Sequence, residues 1–204
     1  MAEPIYLYVS CVIVGYFVGS FPTGVVLTRR KYGIDVREMG SGNIGATNVT
    51  RVFGWYAGVV VFAVDFLKGF VPLALLRYQY SGYPWLLTLT AMALVLGHCF
   101  SLYLGLRGGK GVATSLGCLL IVSPWMAGIS AATYALLLLV SRISAVGSLG
   151  GIGAALLYAL IVKPPIYECW LVAGISLIVL VRHHSNIRRL WSGSRFKTSA
   201  KGNR

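Results

Sequence analysis

Carboxylates are almost missing from this chain: five aspartates and glutamates stand against eighteen lysines and arginines in 204 residues, a formal net charge of +13. That shortage excludes several chemistries. A magnesium-dependent ATPase needs oxygen ligands that these loops do not offer. Gly108-Gly109-Lys110-Gly111 resembles half of a Walker A loop, yet Leu104 stands where the first glycine belongs and Gly111 where the hydroxyl belongs. A Ser-His-Asp set is equally out of reach, because the basic loops hold only Asp35 and Glu38. There is no GxSxG elbow and no HxxxxD pair, since Arg188 follows His183 by five and Arg189 follows His184 by five. The four cysteines, at 11, 99, 118 and 169, are scattered through apolar stretches. They form neither a CxxC metal or redox pair nor a disulfide framework, and each reads as a small buried hydrophobe. Internal repeats and low-complexity linkers are absent too.

Charge of either sign is scarce. Charged residues make up 11% of the chain, against about 25% in a soluble domain. Hydrophobic residues reach 57% and mean hydropathy is +0.76. These values describe a polytopic membrane protein of packed helices, one domain over 1–191 with a basic tail at 192–204. The 25 glycines agree, since small residues let membrane helices approach closely. Residues 5–28 are too long for a signal peptide, and Arg29-Arg30-Lys31 follows the apolar run instead of preceding it.

Apolar segments cover 5–28, 54–76, 85–104, 112–140, 144–162 and 166–181. The fourth is too long for one span, and Ser123-Pro124 predicts a break into 112–122 and 125–140. Seven crossings follow, with a less tidy five-helix version, 112–122 being re-entrant and one later break ignored, as the alternative. With the N-terminus outside and the C-terminus cytoplasmic, fifteen of the eighteen basic residues fall inside; only Arg77 and Lys163 lie outside, and Lys68 lies within a helix. The predicted fold is an all-α, seven-helix membrane bundle. Its weak span is 112–122, whose eleven residues rise about 16 Å, so a partial helix packed inside the bundle is expected there.

That topology gathers four polar clusters on one membrane face. Glycines 40, 42 and 45 can turn backbone N–H groups toward one point, with Ser41, Thr47 and Asn48 as neutral donors and Arg51 as a fixed fork. Gly109, Lys110 and the helix-start amides beside them make a phosphate or oxyanion site that needs no metal. Arg142, Ser144 and Ser148 form the third cluster, and residues 182–189, with His183 and Asn186, the fourth. Each cluster offers phosphate-type donors and none offers a carboxylate. Anionic lipid, a phosphorylated substrate or nucleic acid would each answer the charge; nucleic acid fits worst, because the basic residues sit in short loops between apolar segments. Arg29-Arg30-Lys31 reads as a topology signal as readily as a site. His98 is expected to be a packed or interfacial histidine, and Asp65 and Lys68 a structural i, i+3 pair.

GSGNIGATNVTR at 40–51, GGKGVATSLG at 108–117 and HHSNIRRLW at 183–191, in that order, resemble the bacterial membrane acyltransferases that move an acyl group from acyl phosphate to glycerol 3-phosphate (the PlsY family). VDFLKG at 64–69 and GHCFSLYLGLRGGKG at 97–111 are similar as well, so the resemblance spans nearly the whole chain. It implies transfer to the 1-hydroxyl of glycerol 3-phosphate, giving lysophosphatidic acid and phosphate, the first step of phospholipid synthesis. It implies a seven-helix bundle in the bacterial inner membrane, a site facing the cytosol, and neither metal, cofactor nor acyl-CoA. It also implies substrate assistance, the acyl phosphate's own oxygen taking the proton. Carried over by motif, Ser41, Gly42, Asn43, Thr47 and Asn48 line the phosphate loop, with Gly109 beside the second motif. Arg51 holds a substrate phosphate and Lys110 neutralises charge on the acyl phosphate. His183 and Asn186 orient glycerol 3-phosphate, and a serine of the third cluster takes part, Ser148 preferred and Ser144 close behind. Arg195 departs from the family, which often has an acid there. Expected partners are the two substrates and membrane lipid, with no nucleic acid and a monomeric protein. The competing class is a transporter or binding protein for a phosphorylated metabolite. Such a protein would place its site near the midplane, often within repeats.

Overall fold

The computed structural model describes residues 4–192; most of the tail, including Arg195, lies outside the described residues. Among those residues the regular structure is all helical. The chain runs through α1 (Ile5–Ser20), α2 (Thr23–Tyr32), α3 (Ala46–Phe53), α4 (Trp55–Gln79), α5 (Pro84–Cys99), α6 (Val112–Val122), α7 (Pro124–Ser141), α8 (Ser144–Val162), α9 (Ile166–Arg182) and α10 (His184–Trp191). Short 3₁₀ turns at Val36–Glu38 and Leu102–Leu104 shape two of the loops.

Prolines set several boundaries. The helix expected over 5–28 is in fact two, because Phe21 precedes Pro22 and takes an extended ψ of 119°. The second piece then runs on to Tyr32, where Gly33 closes it at φ 70°. The break expected at Ser123-Pro124 is present, with Pro124 opening α7, where its missing N–H costs nothing. In contrast, α4 runs straight through Pro72 to Gln79.

Five helical runs are long and apolar enough to cross a membrane, counting α1 and α2 as one; a sixth is reached if α9 and α10, bent by 59°, count together. The shorter α6 packs against α4, α5, α7 and α9 instead of facing outward. Large apolar side chains cover the outside, with Leu139 at 77% and Val140 at 78% exposure. So broad an apolar surface suits contact with lipid. Inside, Leu73, Leu94, Met126, Leu171 and Ile175 are fully enclosed in one apolar core.

Close backbone contact joins the helices that carry the site. A Cβ on Gly19 would lie 2.1 Å from Leu94 O, and one on Gly97 2.2 Å from Tyr16 O, so α1 and α5 meet backbone to backbone. Gly69 and Gly117 bring α4 and α6 together in the same way. Gly97→Val would force these backbones apart. We expect a loss of about 2 kcal/mol, measured as a lower thermal unfolding midpoint in detergent; an unchanged midpoint would show that the contact is not required.

Candidate active site

A cavity of about 350 Å³ opens where the loops after α2 and α5 meet α3, α6, α8 and α10. Ser41, Asn43, Thr47, Asn48, Arg51, Lys110, Ser144, Ser148, His183 and Asn186 all line it. Apolar lining comes from Phe62, Leu116, Leu119, Ala131, Gly151 and Ile152, and Asp65, His98, Ser115 and Ser130 line the cavity too. A second, more polar cavity of about 480 Å³ shares Ser41 and Asn43 with the first and is bounded also by Asp35, Arg37, Glu38, Gly42, Arg107 and Arg182.

The glycine-rich loop is held by its own side chains. Buried Asn48 accepts from Ser41 N–H at 2.8 Å. Its amide donates to the carbonyls of Met39 at 3.0 Å, Asn43 at 2.9 Å and Val36 at 3.3 Å. Asn43 Oδ1 accepts from Gly45 N–H at 2.9 Å, and Gly42 N–H donates to Met39 O at 3.0 Å. Of the nest expected around glycines 40, 42 and 45, the amides of Gly42 and Gly45, and that of Ser41 between them, are therefore spent inside the loop. Donors that suit an anion include the first N–H groups of α3, at Ala46 and Thr47, which a helix start leaves without intrahelical partners. Asn48 shapes the loop, and Gly42 lines the second cavity.

Gly109 likewise does not offer its amide. That N–H donates to His98 O at 2.9 Å, and a Cβ on Gly109 would lie 2.2 Å from His98 Nε2. Arg182 fixes the same turn, donating to Gly108 O at 2.7 Å and Gly109 O at 2.9 Å. The turn thereby presents Lys110, whose ammonium donates to Asn186 Oδ1 at 2.5 Å. Burial, followed by the charges of Arg189, Arg51 and Arg182, brings Lys110 down to about 8. Asp35 goes the opposite way: a hydrogen bond from Arg37 above all holds its carboxyl down at about 2. With Arg29 also 2.7 Å away, that carboxylate is unsuited to act as a base.

The third and fourth clusters join the cavity through hydroxyls and an imidazole. Ser144 Oγ lies 3.1 Å from both Thr47 Oγ1 and Tyr134 Oη, linking α8 to α3 and α7. Ser148 donates to Ser144 O at 2.9 Å. His183 is buried, with Nδ1 2.8 Å from Val179 O. A carbonyl only accepts, so Nδ1 carries the proton and the neutral ring keeps Nε2 as an acceptor.

Other cavity residues were not singled out by their sequence. Ser115 Oγ is buried in the cavity wall and makes no hydrogen bond among the described residues. Tyr134 carries no local signal, being one aromatic in an apolar helix. Arg182 was visible as the neighbour of His183, but its clamp on the glycine turn was not. His98 is packed as expected, at 4% exposure, and Asp65 pairs with Lys68 at 2.8 Å; both His98 and Asp65 also reach the cavity wall.

A profile of the family described as glycerol-3-phosphate acyltransferase matches residues 9–193. The chain belongs to this family. Membership makes it an acyltransferase. A relative so named from Anaeromyxobacter sp. (strain Fw109-5) is 43% identical over 188 residues, covering 89% of this chain and 92% of its own. Another, from Aquifex aeolicus (strain VF5), is 40% identical over 182 residues, covering 89% and 94%. The crystal structure of PlsY, an integral membrane glycerol 3-phosphate acyltransferase, superposes in its glycerol 3-phosphate form with a TM-score of 0.87 at 39% identity, covering 94% of this chain and 96% of that one. Its lysophosphatidic acid form superposes at 0.84. With that likeness and the apolar outer surface, this chain is a multi-pass membrane protein.

Proposed function

We propose that the protein transfers a fatty acyl group from acyl phosphate to the 1-hydroxyl of glycerol 3-phosphate, releasing lysophosphatidic acid and phosphate. The observation that carries this reading is a single cavity lined both by cationic and hydroxyl-bearing side chains and by apolar ones. Acyl phosphate combines the same two characters. Its phosphate suits Lys110, Arg51 and the α3 amides, while its chain suits the wall of Phe62, Leu116 and Leu119. Glycerol 3-phosphate is wholly polar and suits the second cavity as its route to Ser41 and Asn43.

In the proposed step the glycerol oxygen bonds to the acyl carbon and the acyl carbon–phosphate oxygen bond breaks. The hydroxyl proton passes to an oxygen of the departing phosphate. His183 Nε2 and Asn186 orient the hydroxyl, Ser148 and Ser144 shape the acceptor side, and Lys110 offsets charge on the leaving group. No side-chain carboxylate is needed, which suits a site where Asp65, on the wall of the first cavity, is paired with Lys68 and Asp35, in the second, is tied to two arginines. A transporter of phosphorylated metabolites is disfavoured, because the polar groups gather at one end of the bundle.

We expect purified protein in detergent to release phosphate from acyl phosphate only when glycerol 3-phosphate is added; release indifferent to the acceptor would reject the reading. Lys110→Ala and Arg51→Ala should each cost about a hundredfold or more in kcat/KM, and near-normal turnover in both would remove them from the site.

Lys110 also sets a pH limit. Its folded value lies below the ordinary lysine range, so the charge is lost as pH rises through about 8. The kcat/KM profile should fall above that point, while kcat holds to higher pH because a bound phosphate restores the ammonium. Lys110→Arg should abolish the alkaline fall; a kcat/KM that stays flat to about pH 9.5 in the parent would contradict the assignment.

The topology proposed with this function has seven crossings in the bacterial inner membrane, the N-terminus outside and the site in the cytosol. In a cysteine-free background, Ser81→Cys and Arg142→Cys should react with an impermeant maleimide from the outer and inner sides respectively. Labelling of both from one side would refute the count.

A further inference from the structure

A buried polar cluster lies directly beneath the 108–111 turn. Asp65 Oδ1 accepts from Thr23 Oγ1 and from Lys68 Nζ, each at 2.8 Å. Lys68 also donates to Phe21 O at 2.9 Å, the carbonyl freed where α1 breaks before Pro22. Thr114 Oγ1 donates to the backbone carbonyl of Asp65 at 2.9 Å and lies 3.3 Å from His98 Nδ1. His98 Nδ1 is 3.8 Å from Asp65 Oδ1. The cluster thus ties α2, α4, α5 and α6 together, and all five side chains are buried.

An ion pair this deep is weak evidence for stability, since apolar residues of the same shape would often do as well. Ionisable groups within membrane helices tend to be retained for function. The far side of His98 shows what the cluster holds. Its carbonyl accepts Gly109 N–H at 2.9 Å, and its Nε2 fills the space beside Gly109 where a Cβ would sit. Lys110 is the next residue. The imidazole is therefore a wedge, gripped at Nδ1 by the cluster and bearing at Nε2 on the turn that carries the ammonium. Arg182 closes the same turn from the other side through the two glycine carbonyls.

We propose that Asp65, His98 and Thr114 are positioning residues for Lys110: they fix the imidazole against Gly109 and so set where the ammonium stands relative to Asn186 and the substrate phosphate. This rests on the role given to Lys110 above. Misplacing a catalytic group by about 1 Å can cost about a hundredfold in rate, so a partial loosening should be readable in turnover without unfolding the protein.

Thr114→Val keeps the shape and removes the hydroxyl. In the purified full-length protein we expect kcat to fall about tenfold, KM for glycerol 3-phosphate to stay within about twofold, and the unfolding midpoint to hold. Thr114→Ser should restore turnover. Independently of activity, the rate at which an amine-selective acylating reagent modifies Lys110, read by peptide mass spectrometry, should change several-fold in Thr114→Val, while exposed Lys31 stays constant. If Thr114→Val does not fold, His98→Gln, whose amide reaches toward Gly109 but loses the Nδ1 contact, carries the same readouts. Unchanged Lys110 labelling, or equal losses in Thr114→Val and Thr114→Ser, would overturn the proposal. A labelling change beside full activity of Lys110→Ala would sustain the positioning and defeat the catalytic role of the lysine instead.

Discussion

Arg182 gives its guanidinium to two backbone carbonyls, Gly108 and Gly109, and forms no ion pair among the described residues. Lys68 divides its ammonium between Asp65 and the Phe21 carbonyl, and Arg77 donates to Ile121 O. Backbone carbonyls thus do work in this acid-poor chain that carboxylates do elsewhere. The distinction matters electrostatically. A carbonyl satisfies an N–H donor, but it is a dipole and cancels no net charge. The donors are met, the cost of burying them unpaired is avoided, and the positive potential survives. Lys110 registers the result, since burial and three surrounding guanidinium groups bring it to about 8.

That potential is useful only because the same cavity also has an apolar lining. The loop before α3 and the glycine turn before α6 both end at helix N-termini, where unpaired N–H groups and the helix dipole favour an anion. Below them, α6 turns Val112, Leu116 and Leu119 to the cavity, one apolar stripe at helical spacing. The same short helix therefore has a charged mouth and a greasy wall. Just before its first turn Lys110 meets Asn186, and His183 lines the same cavity.

Much of this was legible in the sequence. The breaks at Ser123-Pro124, the helical class, the Asp65–Lys68 pair and the gathering of the three motifs all follow from proline chemistry, hydropathy and charge. What was not legible lies in long-range backbone geometry. Glycines 42 and 45 looked like anion donors, yet Gly42 N–H is turned to Met39 O and Gly45 N–H to Asn43 Oδ1. Gly109 looked like part of a phosphate loop, and instead it makes room for an imidazole from another helix. A glycine signals permissive backbone or close approach, and the sequence does not say which. The break before Pro22 was missed for a related reason: the apolar run continues across it, and hydropathy carries no record of a missing N–H.

The shortage of acids is best understood from the reaction proposed for the cavity. A phosphate monoester carries a charge of about −1.5 to −2 near pH 7. Two dianions held about 6 Å apart at an effective dielectric of about 20 repel each other by on the order of 11 kcal/mol. Water screens part of that, and fixed cations lining the cavity oppose the rest. Arg51, Lys110, Arg182 and Arg189 are close enough to depress the lysine or to be it. Their mutual repulsion in the empty site becomes attraction once a phosphate enters. A carboxylate base among them would relieve the empty site and weaken the filled one. On this reading the lost acids are the condition for bringing both reactants together, and the proton must then leave on the phosphate that departs.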